Sequence, residues 1–472
     1  MKRFLLASVA CLSILASCKK DETNNPVTPE DTDMNVANLA RTSNTTNFTE
    51  PSSDTLQGEI KTNTVLKTGK TYVLRNFVYV KNGATLKMEP GVTIKGDKTT
   101  KGTLIITRDG RIDAQGTSSS PVVFTSNEST PNIGDWGGLI ILGNAKTNGS
   151  YNGTSGLQEI EGGVNNDKGF GLHGGADDDD NSGIIKYVRV EFAGIAFQPN
   201  NEINGITFGS VGRGTTVDYV QVAYCGDDSY EFFGGTVNCK HLIAYRGTDD
   251  DFDTDNGYSG KVQFGIALRD PNVADFATGG SSNGFESDND ASGSAAMPKT
   301  SAVFSNMTMI GPWAQGGTVA SPFKRGAHIR RNSSISIFNS VFAGWNTGIL
   351  IDGSSTATNV ASNGLEVMNT LIAGANKSVD TVGLGASGSL NPSAWFLTAS
   401  SANVVKATTP EAMIANPDLV NFNPAPFAGS PALSGAGFVN GKLIGLSNTT
   451  YIGAAAAGDA WWTGGWARFW NK

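Results

Sequence analysis

The chain has 472 residues, 59 of them glycine, with 17 % charged residues and a formal net charge of −8. An acidic balance excludes the class of proteins that neutralise nucleic-acid phosphates with Lys and Arg. The length allows a large core or a long repeat array without a disulfide framework.

Residues 1–17, MKRFLLASVACLSILAS, open with Lys2 and Arg3 and continue with the largely apolar stretch Phe4 to Ala16. That pattern predicts a secretory signal, too short and wrongly flanked to span a bilayer. Leu15-Ala16-Ser17-Cys18 resembles the bacterial lipobox, which implies cleavage before Cys18 and acylation of that cysteine. Lys19-Lys20-Asp21-Glu22 then resembles the surface-export signal of Bacteroidota lipoproteins. The expected location is the outer membrane, with the lipid on Cys18 as anchor and the protein facing outward. Residues 18–54 are Thr, Asn, Pro, Asp and Ser with few large apolar residues, the composition of a flexible tether. Beyond the signal only Cys225 and Cys239 join Cys18, and one pair could be bonded or remain as two buried thiols.

From residue 55 onward short strand candidates dominate. TYVLRNFVYV, ATLKMEPGVTI, GTLIITRDGRI, PVVFTS and GLIILG follow one another between residues 71 and 143, each closed by a turn. Further on the chain repeats itself. YVQVAYCGDDSYEFFGG (219–235) aligns with HLIAYRGTDDDFDTDNG (241–257), matching Val220 to Leu242, Tyr230 to Phe252 and Glu231 to Asp253. SNMTMIG (305–311), FNSVFAG (338–344) and MNTLIAG (368–374) share an asparagine at one position, Asn306, Asn339 and Asn369. A period near twenty with no helix inside it predicts a parallel β-solenoid, each strand pairing with its equivalent about 4.8 Å away in the next coil. The matched asparagines are expected to hydrogen-bond along the stack. A β-sandwich, the alternative, would show hairpin turns instead.

The opening GEIKTNTVLKTGKTYVL, VKNGATLKMEPGVTIKG, RIDAQGTSSSPVVFTS and GDWGGLIILG resembles right-handed parallel β-helix proteins of the pectin-lyase-like superfamily. More closely, it resembles a group of Bacteroidota surface lipoproteins, which also share CGDDSYEFFGGTVN, DDDFDTDNGYSGKVQFG, NGFESDND and the ending YIGAAAAGDAWWTGGWARF. The resemblance implies an all-β chain: a right-handed parallel β-helix over residues 55–472, with acidic coils at about 219–290 and a C-terminal cap at about 451–472.

The acidic coils carry the candidate chemistry. Alternation along DDDFDTDNG predicts Asp249, Asp251, Asp253 and Asp255 on a solvent face, Phe252 and Thr254 inside, and Asp250 in the turn. The repeat offset sets Asp227, Asp228 and Glu231 beside them. FESDND (285–290) matches the next coil after an insertion at 271–283, placing Glu286 over Asp253 and Asp288 over Asp255. The predicted ladder is Glu231, Asp253 and Glu286 in one column, with Asp255 and Asp288 in the next. Stacked carboxylates repel, and an all-oxygen site of this kind suits Ca²⁺, with Glu231, Asp249, Asp251, Asp253, Asp255, Glu286 and Asp288 as candidate ligands. A solvated acidic face is the alternative. For the run Asp177 to Asp180 a solvated turn is the expectation.

Polysaccharide lyases on the resembled fold pair Ca²⁺ with a basic residue that takes a proton. The candidates for that base are Lys324, Arg325, Arg330 and Arg331, with Arg246 and Arg269 nearer the aspartates. Hydrolases use carboxylates instead, for which Asp227, Asp228, Asp249 and Asp250 stand ready. His173, His241 and His328 show no zinc spacing. Trp461, Trp462, Trp466 and Trp470 are assigned to the cap, with a sugar-stacking platform as the alternative. The reading that follows is a surface lipoprotein that binds an extracellular glycan or a surface protein partner through a Ca²⁺-loaded acidic face. A polysaccharide lyase, ahead of a hydrolase, is the first alternative. A structural component of an outer-membrane complex is the second.

Overall fold

Short β-branched and aromatic runs between Gly, Asn and Asp turns cannot bury themselves alone, so each pairs with its counterpart one coil away. Among the described residues twenty-six strands join in this way into one continuous sheet, and every pairing within it is parallel. The result, in the computed structural model, is the parallel solenoid that the repeats predict, a right-handed parallel β-helix as the resemblance implies. The structure describes residues 34–36, 39, 47–198, 201–385 and 390–472. The signal at 1–17, Cys18 and most of the stretch read as a tether lie outside the described residues.

Three columns of strands form three faces. The first runs from Thr85–Met88 through Arg111–Gln115, and the second from Thr93–Gly96 through Val122–Ser126. Both feed the long strand Gly183–Glu191, which pairs with each of them. From there the two faces share one bent strand per coil: Thr216–Ala223, Asn238–Tyr245, Lys261–Leu268 and Val303–Ile310. The bend is one residue with positive φ in each coil: Tyr187 (51°), Tyr219 (56°), His241 (50°), Phe264 (64°) and Asn306 (57°). Such a conformation is costly for side chains other than Asn or Gly, and stacking offsets it here. The Tyr187 and Tyr219 rings lie 4.6 Å apart, Tyr219 and His241 4.2 Å, His241 and Phe264 5.1 Å. Asn339 and Asn369 continue the left-handed corner.

The third face contains Ile206–Gly209, Tyr230–Phe233, Phe252–Asp255, Phe285–Ser287, Arg325–Ile329 and Thr347–Asp352, each pairing with the next. Its inward residues stack in the core: Tyr230 on Phe252 and Phe252 on Phe285, each pair with centroids 5.4 Å apart. Cys225 and Cys239 are both free and buried.

Two expectations are corrected. The corner asparagines bond mainly to the returning C-terminal chain and not to one another. Asn306 Nδ2 donates to the Tyr451 carbonyl (3.2 Å), Asn339 Nδ2 to that of Gly437 (3.2 Å) and Asn369 Nδ2 to that of Gly435 (2.8 Å). Residues 451–472 accordingly do not close the end of the solenoid. They run back along the corner as a strap, from Asn306 past His241 and Tyr187 to Ser118, whose carbonyl accepts the Trp466 N–H. Trp462 and Trp466 are buried beneath it, among Ile243, Tyr245, Ile266 and Ile310 of the second face. These tryptophans therefore serve packing, and not an exposed sugar platform. At the C-terminal end, Phe396 from the short helix Pro392–Phe396 joins the main core.

Candidate functional site

Outward residues of the third face form a single column in strict register. Tyr79, Ile105 and Ile140 lead to Thr207, Glu231, Asp253, Glu286 and His328, then Leu350 and Asp380. Its first three members are apolar and covered by Ile160, Val164, Phe170 and Met34. Met34, within the stretch read as tether, is buried there, and Arg108 donates to its carbonyl. The polar chemistry begins where this cover ends. The predicted column of Glu231, Asp253 and Glu286 is present, and His328 extends it by one coil.

A second line runs through the turns that precede these strands. The Asp250 N–H donates to Asp228 Oδ1 (2.8 Å), the Asn283 N–H to Asp250 Oδ1 (2.5 Å), and Arg325 Nη1 reaches Asn283 Oδ1 (3.5 Å). The two lines together produce three carboxylate trios: Asp227, Asp228 and Asp249; Asp228, Glu231 and Asp253; Asp250, Asp253 and Glu286. In each trio one oxygen per residue lies within 4.8 Å of the others. Asp228, Glu231 and Asp250 are buried.

Burial comes first among the causes that drive these acids well above the usual carboxylate range. For Asp228 the charges of Asp249 and Asp250 add to it, for Glu231 that of Glu161, and for Asp253 those of Glu286 and Asp250. Glu161 comes from the long excursion between Leu142 and Gly183, and Asn204 Nδ2 donates to it (3.0 Å) and to Glu231. Asp275, in the predicted insertion, adds its charge to Asp227 and Asp249. Glu286 is the exception. Burial pushes it up, but the neighbouring His328 and the Arg330 charge outweigh burial and hold it below its ordinary value.

The other end of the face is basic. Arg330 pairs with Glu286 and, through Nε, with Asp288 Oδ1 (2.9 Å), and Arg331 Nη1 meets Asp288 Oδ2 (2.7 Å). Burial opposes the Arg330 charge, but Glu286 and Asp288 outweigh it, so this guanidinium is more basic than usual. His328 stands between Glu286 (3.6 Å) and Asp352 (3.0 Å). Burial lowers the pKa of Arg325.

Several predicted site residues lie elsewhere. Asp251 does not share the face of Asp253. It points inward, fully buried, with Oδ2 3.2 Å from Arg269 Nε. Strict alternation applies only from Phe252, where the strand begins; residues 249–251 belong to the turn. For the same reason Asp250 joins the carboxylates instead of standing apart. Asp255 and Asp288 belong to none of the trios; Asp288 is occupied by two arginines, and burial lifts Asp255 to about 7. Arg246 lies under the strap, bonded to Tyr224 Oη (2.9 Å) and Asn471 Oδ1 (2.7 Å), and Lys324 bonds the Ser321 carbonyl (2.6 Å). Neither touches the carboxylates. The run Asp177 to Asp180 is held by Lys146 on Asp178 and Arg213 on Asp179.

Glu161, Asn204 and Asp275 were not legible, because long excursions bring them in from outside the repeat. His328 could have been found by extending the Glu231, Asp253 and Glu286 column one coil further.

The donor set fits a hard cation: it is all oxygen, and Asp253 Oδ1 is buried without a hydrogen-bond partner. No curated protein and no solved structure matches the chain. A model of the pectate-lyase-like β-helix domain matches residues 58–413, a span that holds every residue of the acidic and basic ends and stops before the strap. With that match over most of its length and with the parallel solenoid it describes, the chain belongs to the pectate-lyase-like β-helix domain family.

Proposed function

We propose that the protein is a lipid-anchored surface protein whose third face takes up Ca²⁺ and, with it, an acidic glycan. The observation that carries this reading is the sharing of Asp228 and Asp253 between carboxylate trios with, among the described residues, no Lys or Arg paired to either. Buried like charges need either protons or a cation. Ca²⁺ accepts six to eight oxygens in flexible geometry, whereas Mg²⁺ demands a tight octahedron. A uronate carboxylate would complete the cation's shell and reach Arg325 and His328 on the following coil. The lipobox-like Leu15-Ala16-Ser17-Cys18 and the Lys19-Lys20-Asp21-Glu22 that follows it are the sequence features that support a lipid anchor and display at the outer-membrane surface. Calorimetric titration of the metal-free protein with Ca²⁺, then with uronate oligosaccharides in its presence, tests the reading. Absence of Ca²⁺ uptake refutes it.

Arg325 favours a second reading, a polysaccharide lyase. Its pKa is lowered by burial, and its hydrogen-bonded line leads to Asp250 and Asp228. It is better suited to accept a proton than Arg330, which two carboxylates hold charged. Elimination leaves a carbon–carbon double bond in the product, so ultraviolet absorbance on uronate polysaccharides separates turnover from binding.

A further inference from the structure

Around the corner from the acidic face, the first face carries a groove of about 600 Å³ that the proposed function does not use. Its floor is Val217 and Cys239, and residues 444–446 of the C-terminal chain form its far wall. Successive coils place Thr216 beside Asn238 and Asp218 beside Lys240, in register. Lys261 follows Asn238, whose Oδ1 accepts its backbone N–H (2.9 Å).

The charges inside the groove are unbalanced. Lys240 Nζ donates to Ser447 Oγ (3.2 Å) and Lys261 Nζ to the Ile444 carbonyl (2.6 Å), both neutral oxygens. Asp218 is taken by His241 Nδ1 (2.7 Å), and Arg213 at the rim by Asp179. Burial holds the Lys261 ammonium below its usual pKa, a cost that an anion beside it would relieve. The volume far exceeds what one ion needs and matches a small-molecule site. Thr216 and Asn238, which precede Lys261 in the same column, add neutral hydrogen-bonding groups to the lining.

We propose that this groove binds an acidic oligosaccharide, with Lys240 and Lys261 holding its sulfate or carboxylate groups and Thr216 and Asn238 its hydroxyls. Two ammoniums on adjacent coils suit anions carried on one short chain. The site is independent of the Ca²⁺ face, since none of its residues belongs to the carboxylate trios.

The test is calorimetric titration of the full mature chain with a heparin-derived tetrasaccharide, in EGTA so that the acidic face is not recruited. Losing one charge-assisted bond weakens binding by about tenfold or more, so Lys240→Gln with Lys261→Gln should weaken it at least that much. Ile444→Trp, which crowds the rim, should also reduce it without removing a charge. Asp253→Asn should bind like wild type. The proposal is overturned if the wild type does not bind, or if the lysine and rim variants bind unchanged. It is equally overturned if inorganic sulfate, a desulfated and carboxyl-reduced tetrasaccharide or a single-stranded oligonucleotide binds as tightly as the sulfated chain.

Discussion

Asp253→Asn is the substitution that separates a metal site from an acidic surface. Asp253 belongs to two of the three trios, so Asp228, Glu231, Asp250 and Glu286 all hold an oxygen within 4.8 Å of one of its own. At that separation two unit charges repel by roughly 3 kcal/mol at an effective dielectric of about 20, and by under ~1 kcal/mol in bulk water. Proton uptake relieves part of this, which is why burial and neighbouring charge raise these acids so far. Removing the central charge should therefore stabilise the metal-free protein by about 1–3 kcal/mol. Unfolding entropy for a domain of about 420 residues is roughly 0.9 kcal/mol per kelvin, so the melting temperature should rise by about 1–3 °C in EGTA. Ca²⁺ at a hundred times its dissociation constant adds about 2.7 kcal/mol, or about 3 °C, to the wild type. The variant should lose most of that gain. Differential scanning calorimetry at neutral pH, with EGTA and with Ca²⁺, reads both effects on the same two proteins. If neither chelation nor Ca²⁺ moves the wild type, or if the substitution lowers the metal-free melting temperature, the carboxylates are not a strained cation site.

Three further outcomes are expected. Burial, helped by the Arg108 charge, lowers the His173 pKa to about 3 from 6.5, so the unfolded chain takes up a proton between those values while the folded one does not. That contribution to stability is complete above the unfolded pKa and is lost as pH falls; His173→Asn should flatten the acid limb of urea-denaturation stability, and an unchanged slope would contradict it. Trp466→Ala removes a buried ring stacked against Trp461 and edge-on to Tyr187 and Tyr219, and should cost about 3–5 kcal/mol. Limited proteolysis should then cut the strap faster than in wild type, and equal rates would refute its role as a clamp. Cys18→Ala should move the protein out of the membrane fraction, and wild-type protein on intact cells should be cut by added protease.

The fold was legible because a solenoid writes its geometry into the sequence as a period. The offset that sets Val220 on Leu242 and Glu231 on Asp253 is the register of the folded sheet. The first half of the site follows from that register. The rest does not, for two physical reasons. Period two holds only inside a strand, so the turn before Phe252 sends Asp251 inward to Arg269 and Asp250 outward to Asp228. Excursions from the coil obey no period at all, and it is these that deliver Glu161 and Asp275 to the carboxylates. The strap was misplaced on similar grounds: a tryptophan-rich ending says that apolar surface must be covered, but not which surface.

Which surface is covered decides where chemistry can occur. The second face turns Ile243, Ile266 and Ile310 outward, and the strap with Trp462 and Trp466 shields them. The third face turns Ile105 and Ile140 outward near its start, and the excursion carrying Ile160 and Phe170 shields those. Both covers follow from the hydrophobic cost of leaving such residues in water. From Thr207 to His328 the outward column is polar, so no apolar drive brings a cover over that stretch, and the segments that do approach bring Glu161 and Asp275. Adding acids to an already repelling cluster raises its cost, which packing alone would not favour. The neighbouring coil shows the opposite choice, with Arg330 and Arg331 neutralising Asp288. A face that compensates one carboxylate with two arginines and, among the described residues, pairs Asp228 and Asp253 with none is consistent with the Ca²⁺ site proposed above.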